Sequence, residues 1–141
     1  MDIRKITPDY AVGPQIEPED LATLAADGFV AVINNRPDDE VMADLAGAEM
    51  QKAAEAAGLR YIPNPVVNGA MTMANVETQK TVLDSAEGPV FAWCRSGTRS
   101  SIMWALSQAG QRPTEEILND LRTAGYDLPQ LAPQIDALAQ G

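Results

Sequence analysis

The chain alternates between two patterns of apolar and polar positions. Short, continuous apolar runs, such as residues 29–33 and 89–93, are typical of strands covered on both faces. Longer segments with apolar residues three or four positions apart, such as residues 102–106, are typical of helices that bury one side. The pattern therefore predicts strands that alternate with helices.

Turn and capping residues set the approximate bounds of these elements. We predict strands at residues 10–16, 29–33, 59–63 and 89–93. We predict five helices before the tail. The first opens at residues 17–20, the second runs from Asp38 or Asp39 to about residue 57, and the third runs from Thr72 or Asn75 to about residue 86. The fourth follows the loop after residue 93, and the fifth begins at a Thr114 cap. The tail, residues 128–138, has a helical pattern with two prolines, which predicts a helix that begins late or bends.

Strands alternating with helices predict an α/β fold, with a mostly parallel sheet of four to five strands flanked by helices. In such sheets, ligands gather at the carboxyl ends of the strands. The loops at residues 34–39, 64–72 and 94–100 are expected to meet there. A functional site is therefore expected on that edge.

Length and composition narrow the class of protein. The length of 141 residues predicts one domain over residues 1–141. No apolar run is long enough to span a bilayer, and the first residues lack the apolar stretch of a signal peptide. A single cysteine allows no internal disulfide, which fits a reducing compartment. We therefore expect a cytoplasmic protein that binds no membrane.

Charge and the missing histidine exclude several kinds of chemistry. The net charge of −10 repels nucleic acid, so we expect no nucleic-acid partner. No histidine is present, which excludes Cys-His dyads, Ser-His-Asp triads and imidazole metal sites. The chain has no cluster of metal ligands, and we expect neither a metal nor a cofactor.

The single cysteine, Cys94, follows the apolar run 89–93 and precedes a predicted helix start. A helix N-terminus presents unpaired backbone N–H groups and the positive end of a dipole, and both favour an anion. Arg95 and Arg99 add positive charge at the same place. We therefore expect Cys94 to be a nucleophile that ionises readily and is open to solvent.

The residues after Cys94 suit an anion-binding loop. Gly97 allows a backbone conformation in which successive N–H groups turn inward, and the Arg99 guanidinium can bind two oxygens of one anion. We predict that Cys94 and Arg99 are catalytic. The substrate-binding residues are predicted to be Arg95, at the mouth of the site, together with Ser96, Gly97, Thr98 and Ser100.

Each of these assignments has a structural alternative. A lone cysteine in a soluble chain is commonly a buried packing residue. The hydroxyls of Ser96, Ser100 and Ser101 could hydrogen-bond the thiolate, but Ser100 or Ser101 could equally cap the helix. Two arginines, a glycine and several hydroxyl residues beside the sulfur favour the functional interpretation.

The loop from Cys94 to Ser100 resembles two known active-site loops. It is similar to that of rhodanese-type sulfurtransferases, in which four residues separate the cysteine, which carries a persulfide, from an arginine. It also resembles the protein-tyrosine-phosphatase loop, but Trp93 stands in place of the histidine and Ser100 in place of the arginine. The shorter ring implies sulfur transfer rather than phosphate chemistry.

The remaining chain resembles a different family. The segments 10–16 and 32–38, with the cysteine loop, are similar to the small bacterial family related to the N-terminal domain of beta-lactamase-hydrolase-like proteins. This resemblance covers nearly the whole chain. It implies a dual-specificity-phosphatase-like fold, and members are described as phosphatases or as sulfur transferases.

The choice of reaction depends on a proton donor. In dual-specificity phosphatases an aspartate in the loop after the preceding strand protonates the leaving alkoxide. The corresponding residues 66–70 contain no acid. Asp38, Asp39 or Glu40 could substitute as the acid from the neighbouring loop, but we interpret them mainly as surface caps. Sulfur transfer needs no such acid, because sulfite leaves thiosulfate as a stable anion.

We therefore favour sulfur transfer, in which Cys94 attacks a sulfane donor and a persulfide forms. Because the chain has no second cysteine, an external thiol, such as glutathione or a partner protein, must accept the sulfur. The second hypothesis is phosphoester hydrolysis through a cysteinyl-phosphate. The third is a non-catalytic module that senses an anion or redox state. We expect a small anionic substrate at Cys94, namely thiosulfate, a persulfide or a phosphoester. None of the three hypotheses indicates an oligomeric state.

Overall fold

The computed structural model describes residues 1–141. Its strands are β1 (Arg4–Thr7), β2 (Tyr10–Gly13), β3 (Ala31–Asn34), β4 (Arg60–Pro63) and β5 (Val90–Trp93). Its α-helices are α1 (Asp20–Ala26), α2 (Gly47–Ala56), α3 (Met73–Ser85), α4 (Thr98–Ser107), α5 (Thr114–Thr123) and α6 (Ala132–Gln140).

The five strands form one sheet in the order β1-β2-β5-β3-β4. Strands β2, β5, β3 and β4 are parallel, and β1 pairs antiparallel with β2 at the edge. This architecture confirms the predicted α/β fold with a mostly parallel sheet of four to five strands. The carboxyl ends of β3, β4 and β5 lie side by side, which brings the loops after them together.

Side chains of the sheet alternate between two helical layers, as the period of two in a strand requires. On β5, Phe91 and Trp93 pack in the cluster that contains Leu21 of α1 and Met50 of α2. Ala92 packs in the opposite cluster, to which α3, α4, α5 and α6 contribute. Coverage on both faces explains the continuous apolar run in β5.

The edge of the sheet formed by β1 and β2 differs from the sequence prediction. Strand β1 was not predicted, because Arg4–Thr7 is short, charged and partly exposed, as edge strands commonly are. Strand β2 ends at Gly13 rather than at residue 16. The chain then turns toward α1, which begins at Asp20 as expected.

The predicted helix from Asp38 or Asp39 is wrong in its first half. Residues 38–40 and 43–45 form two separate 3-10 turns, and α2 begins only at Gly47. The Asp38 carboxylate accepts a hydrogen bond of 2.8 Å from the Gly47 N–H, so it stabilises the helix start from outside the helix. The irregular segment places Glu40 next to the cysteine loop.

The remaining helices largely follow the sequence. Thr72 and Asn75 form a reciprocal capping box at the start of α3. Pro113, rather than the predicted Thr114, occupies the cap position of α5, and α6 begins late, after a 3-10 turn at Pro129–Leu131. None of the helices has the length and apolar character needed to cross a membrane.

Candidate active site

The candidate site is built on the turn between β5 and α4. Strand β5 is fully buried and delivers Cys94 to the carboxyl edge of the sheet. Gly97 has φ +97°, a left-handed conformation that favours glycine, and α4 begins at the next residue. The strand, tight loop and helix start therefore follow each other as the sequence predicts.

The sulfur of Cys94 lies inside this loop. Its Sγ accepts a hydrogen bond of 3.0 Å from the Gly97 backbone N–H. The residue is 0% exposed, so the prediction that the thiol is open to solvent is wrong for this conformation. The reason is that the sulfur sits beneath the loop backbone rather than at its rim.

The hydroxyl groups of the loop make other contacts. Ser96 donates to the Thr98 side chain at 3.1 Å, and Ser101 donates to the Gly97 carbonyl at 2.8 Å. The Ser100 hydroxyl accepts from the Asn35 amide at 2.9 Å. None of these hydroxyls hydrogen-bonds the sulfur, and the cap position of α4 is Gly97 rather than Ser100 or Ser101.

Several backbone donors around the sulfur remain unpaired. The N–H groups of Arg95, Ser96, Arg99 and Ser100 make no hydrogen bond to the protein. Because they belong to the loop and the first turn of α4, they resemble the inward-facing donors of an anion nest. The Arg95 side chain is exposed at the rim and makes no hydrogen bond.

Arg99 is held by a bidentate ion pair with Glu40. Its Nη1 donates to Glu40 Oε2 at 2.8 Å, and its Nη2 donates to Oε1 at 2.7 Å. Nη1 also donates to the Val66 carbonyl at 2.8 Å. The side chain of Arg99 is 5% exposed and that of Glu40 is 28% exposed, so the pair is largely shielded from water.

These contacts leave part of the guanidinium free. Arginine has five N–H donors, and Glu40 and Val66 occupy three of those on Arg99. The Nε–H and the second Nη2–H have no oxygen partner in the protein, and they lie parallel along one edge of the group. The hydrogen bonds with Glu40, and to a smaller extent the nearby Cys94 sulfur, raise the pKa of Arg99.

Glu40 is itself fixed by a second arginine. Arg36 donates to the Glu40 side chain at 3.4 Å and to its carbonyl at 3.0 Å, and it also binds the Gln15 side chain at 3.2 Å. The hydrogen bonds from Arg99, aided by Arg36, hold the pKa of Glu40 below its usual value of 4.5. Glu40 is therefore a carboxylate at neutral pH.

A chain of side-chain amides ties the three loops together behind the sulfur. Asn75 donates to Asn64 at 2.9 Å, Asn64 donates to Asn35 at 3.1 Å, and Asn35 donates to Ser100. Asn35 and Asn64 are buried, so each lost link would leave an unpaired polar group. The meeting of these loops, predicted from the sequence, is confirmed.

Sequence reasoning missed the roles of two residues. Glu40 was interpreted mainly as a surface cap, but it binds Arg99, which lies 59 positions further along the chain. Tyr126 was not considered, although its hydroxyl donates to the Ser96 carbonyl at 3.1 Å. A carboxylate near an unpaired loop arginine could have been suspected for Glu40, but no sequence signal indicates Tyr126.

Comparison with known proteins identifies the family. Residues 2–111 match the family model described as beta-lactamase hydrolase-like protein, phosphatase-like domain. The chain belongs to this family. A beta-lactamase hydrolase-like protein from Agrobacterium fabrum is 36% identical over 111 residues, which cover 77% of this chain and 26% of the relative. The chain thus spans about a quarter of that relative's length.

Solved structures show the same fold. A proposed phosphatase from Neisseria meningitidis is 31% identical, with a TM-score of 0.82 and coverage of 98% of this chain and 99% of that one. TpbA from P. aeruginosa, in complex with pTyr, is 17% identical, with a TM-score of 0.67 and coverage of 98% and 88%. The chain therefore has a cysteine-phosphatase-like fold.

Gly97→Ala is expected to damage both stability and activity. A Cβ at this position would collide with the Tyr126 hydroxyl and would add the strain of a positive φ. The strain alone costs about 1–2 kcal/mol, and the collision adds to it. Gly58→Ala is the matched control, because Gly58 has φ +82° with open space around it. Equal losses of unfolding free energy in urea would contradict the contact with Tyr126.

Proposed function

We propose that the chain hydrolyses phosphomonoesters of acidic alcohols, such as phenols, through a cysteinyl-phosphate on Cys94. The observation that carries this proposal is that Arg99, which lies near the Cys94 sulfur, keeps its Nε–H and one Nη2–H free of oxygen partners. A guanidinium edge of this kind binds two oxygens of one phosphoryl group. The phosphatase-like family and the fold of the neighbours support the same reaction.

The residues then have defined roles. The Cys94 thiolate attacks phosphorus, an S–P bond forms, and the P–O bond to the leaving group breaks. Arg99 and the unpaired N–H groups of Arg95, Ser96 and Ser100 stabilise the charge on the remaining oxygens. Thr98 and Gly97 shape the loop. Water then cleaves the S–P bond, which releases inorganic phosphate and restores the thiolate.

The site has no general acid near the sulfur, which restricts the reaction to leaving groups that depart as anions. The loop 64–72 contains no acidic residue, and Asp38 and Asp39 are exposed and make no hydrogen bond to the cysteine loop. Glu40, which is bound to Arg99, is ionised at neutral pH. Without a general acid the alcohol must depart as an anion, which favours phenols over alkyl alcohols. Phosphotyrosine, which TpbA binds in its complex, has such a leaving group.

Sulfur transfer is the second candidate, and the length of the loop favours it. Only four residues separate Cys94 from Arg99. In this reaction Cys94 attacks the outer sulfur of thiosulfate, an S–S bond forms, and the S–S bond to sulfite breaks. Sulfite leaves as a stable anion, so the lack of an acid does not slow this reaction. An external thiolate then takes the sulfur and leaves Cys94 as the thiolate.

A side-by-side assay tests the proposal. The protein is incubated with an aryl phosphate and, separately, with thiosulfate plus a thiol, with Cys94→Ser as the control. We expect phosphate release from the aryl phosphate and none from Cys94→Ser. Persulfide on Cys94, seen by mass spectrometry together with sulfite release and no phosphate release, would replace hydrolysis with sulfur transfer. The absence of both products would contradict both candidate reactions.

A series of substrates with different leaving groups tests whether the site lacks a general acid. Across phosphates of phenols with rising pKa, kcat/KM is expected to fall steeply, because no protonated group assists departure. Alkyl phosphates are expected to react more slowly still. A flat dependence on the pKa of the alcohol, with chemistry shown to limit the rate, would indicate a proton donor that the site does not show.

A further inference from the structure

One peptide group joins Tyr126 to the sulfur of Cys94. The Ser96 carbonyl accepts from the Tyr126 hydroxyl at 3.1 Å, and the Gly97 N–H donates to Sγ at 3.0 Å. These two groups are the opposite ends of the same planar trans peptide, so they point in opposite directions. Holding the carbonyl on Tyr126 therefore keeps the N–H aimed at the sulfur.

Tyr126 is itself well fixed. Its backbone N–H donates to the Leu121 carbonyl at 2.8 Å, where the chain leaves α5. The Arg4 guanidinium, from β1, lies 5.6 Å from the centre of its ring and also donates to the Ala124 carbonyl at 3.4 Å. The loop is therefore supported from two elements that are distant in sequence.

The Tyr126 hydroxyl is suited to donate this hydrogen bond. Burial raises the pKa of Tyr126, so the hydroxyl keeps its proton across the neutral range. Tyr126 is 9% exposed, which limits competition from water for the Ser96 carbonyl. This hydroxyl also packs closely against Gly97, so any side chain at position 97 would displace it.

We propose that Tyr126 is a positioning residue for the nucleophile: its hydroxyl, acting through the Ser96–Gly97 peptide, keeps a backbone donor on the Cys94 thiolate. Tyr126 lies outside residues 2–111, which match the family model. The inference rests on the proposed function only in taking Cys94 as the nucleophile. It applies equally to hydrolysis and to sulfur transfer.

Tyr126→Phe tests this role, because it removes the hydroxyl and keeps the ring. Without the hydroxyl the peptide can rotate, and the thiolate loses its donor part of the time. The midpoint of the pH profile for alkylation of Cys94 by iodoacetamide is expected to rise by about 0.5–1 pH unit. Because Cys94 is the only cysteine, the thiolate absorbance in the ultraviolet gives the same midpoint without a reagent.

Tyr61→Phe is the matched control. Its half-buried hydroxyl accepts from the Asn34 side chain at 3.0 Å and makes no hydrogen bond to the cysteine loop. We expect the Tyr61→Phe profile to equal that of the wild type. A Tyr126→Phe profile equal to that of the wild type would overturn the proposal, as would equal shifts in both variants.

A second measurement guards against misfolding of the variant. In the wild-type protein, the Gly97 amide proton resonance is expected to move as the Cys94 thiol titrates, because this N–H bonds the sulfur. A resonance that does not respond would overturn the proposal. Neither readout needs a substrate, so loss of the proposed phosphatase activity and loss of the positioning role are distinguishable.

Discussion

Replacing Arg99 by lysine is expected to lower kcat/KM for an aryl phosphate by about 100- to 1000-fold, which is the usual effect of removing one preorganised donor to a developing oxyanion. Lysine retains the positive charge but presents a point charge in place of a planar group. It cannot hold Glu40 in two hydrogen bonds and at the same time offer a second edge to the substrate.

The measurement is steady-state hydrolysis by purified Arg99→Lys, followed as phosphate release. Arg112→Lys is the matched control, because Arg112 packs over the Trp104 ring and binds Gln108, away from the loop. We expect the control to retain wild-type kinetics. Wild-type kcat/KM in Arg99→Lys would show that the free guanidinium edge does not bind the transferred group.

The sequence indicates the fold and the candidate nucleophile because both are encoded locally. The apolar run before Cys94 is typical of a buried strand, and Gly97 marks the turn before α4. The alternation of strands and helices then places three loops at one edge of the sheet. The order of strands and helices is enough to predict that these loops meet. The hydrogen bond between Asn35 and Ser100, which joins two of them, agrees with that prediction.

Other parts of the site depend on contacts between distant residues. The ion pair of Glu40 with Arg99 and the hydrogen bond of Tyr126 to Ser96 join segments that sequence periodicity does not relate. The misassigned helix start at Asp38 concealed Glu40, because a regular helix would present this residue as an exposed cap. The burial of Cys94 depends on the loop backbone and has no sequence signal.

Arg99 illustrates how one side chain serves both the fold and the site. Three of its donors hold the loops at residues 38–40 and 64–72 against α4, through Glu40 and Val66. The remaining edge is therefore presented in a fixed orientation before any anion binds. Such preorganisation is what allows a donor to stabilise a transition state without reorganisation. Glu40 should accordingly affect catalysis without contacting the substrate.

Glu40→Gln tests that role in neutral solution. The carboxamide keeps one acceptor oxygen but turns an N–H₂ group toward the guanidinium, so Arg99 loses its fixed orientation. We expect kcat/KM to fall by more than about tenfold and the free energy of unfolding to fall by about 1–2 kcal/mol, because a largely buried charge is left partly unpaired. Glu116→Gln, which removes an exposed partner of Arg112, is expected to change neither by a measurable amount.

The stability difference between the wild type and Glu40→Gln should disappear in acid. Because the folded-state pKa of Glu40 lies below its usual value of 4.5, its contribution is complete above that value. It declines as the pH falls from 4.5 through the lowered folded-state pKa, where the wild-type carboxyl becomes neutral like the amide. Urea unfolding of both proteins from neutral to acidic pH measures this. A difference that stays constant through the acid range would show that the ion pair does not stabilise the site.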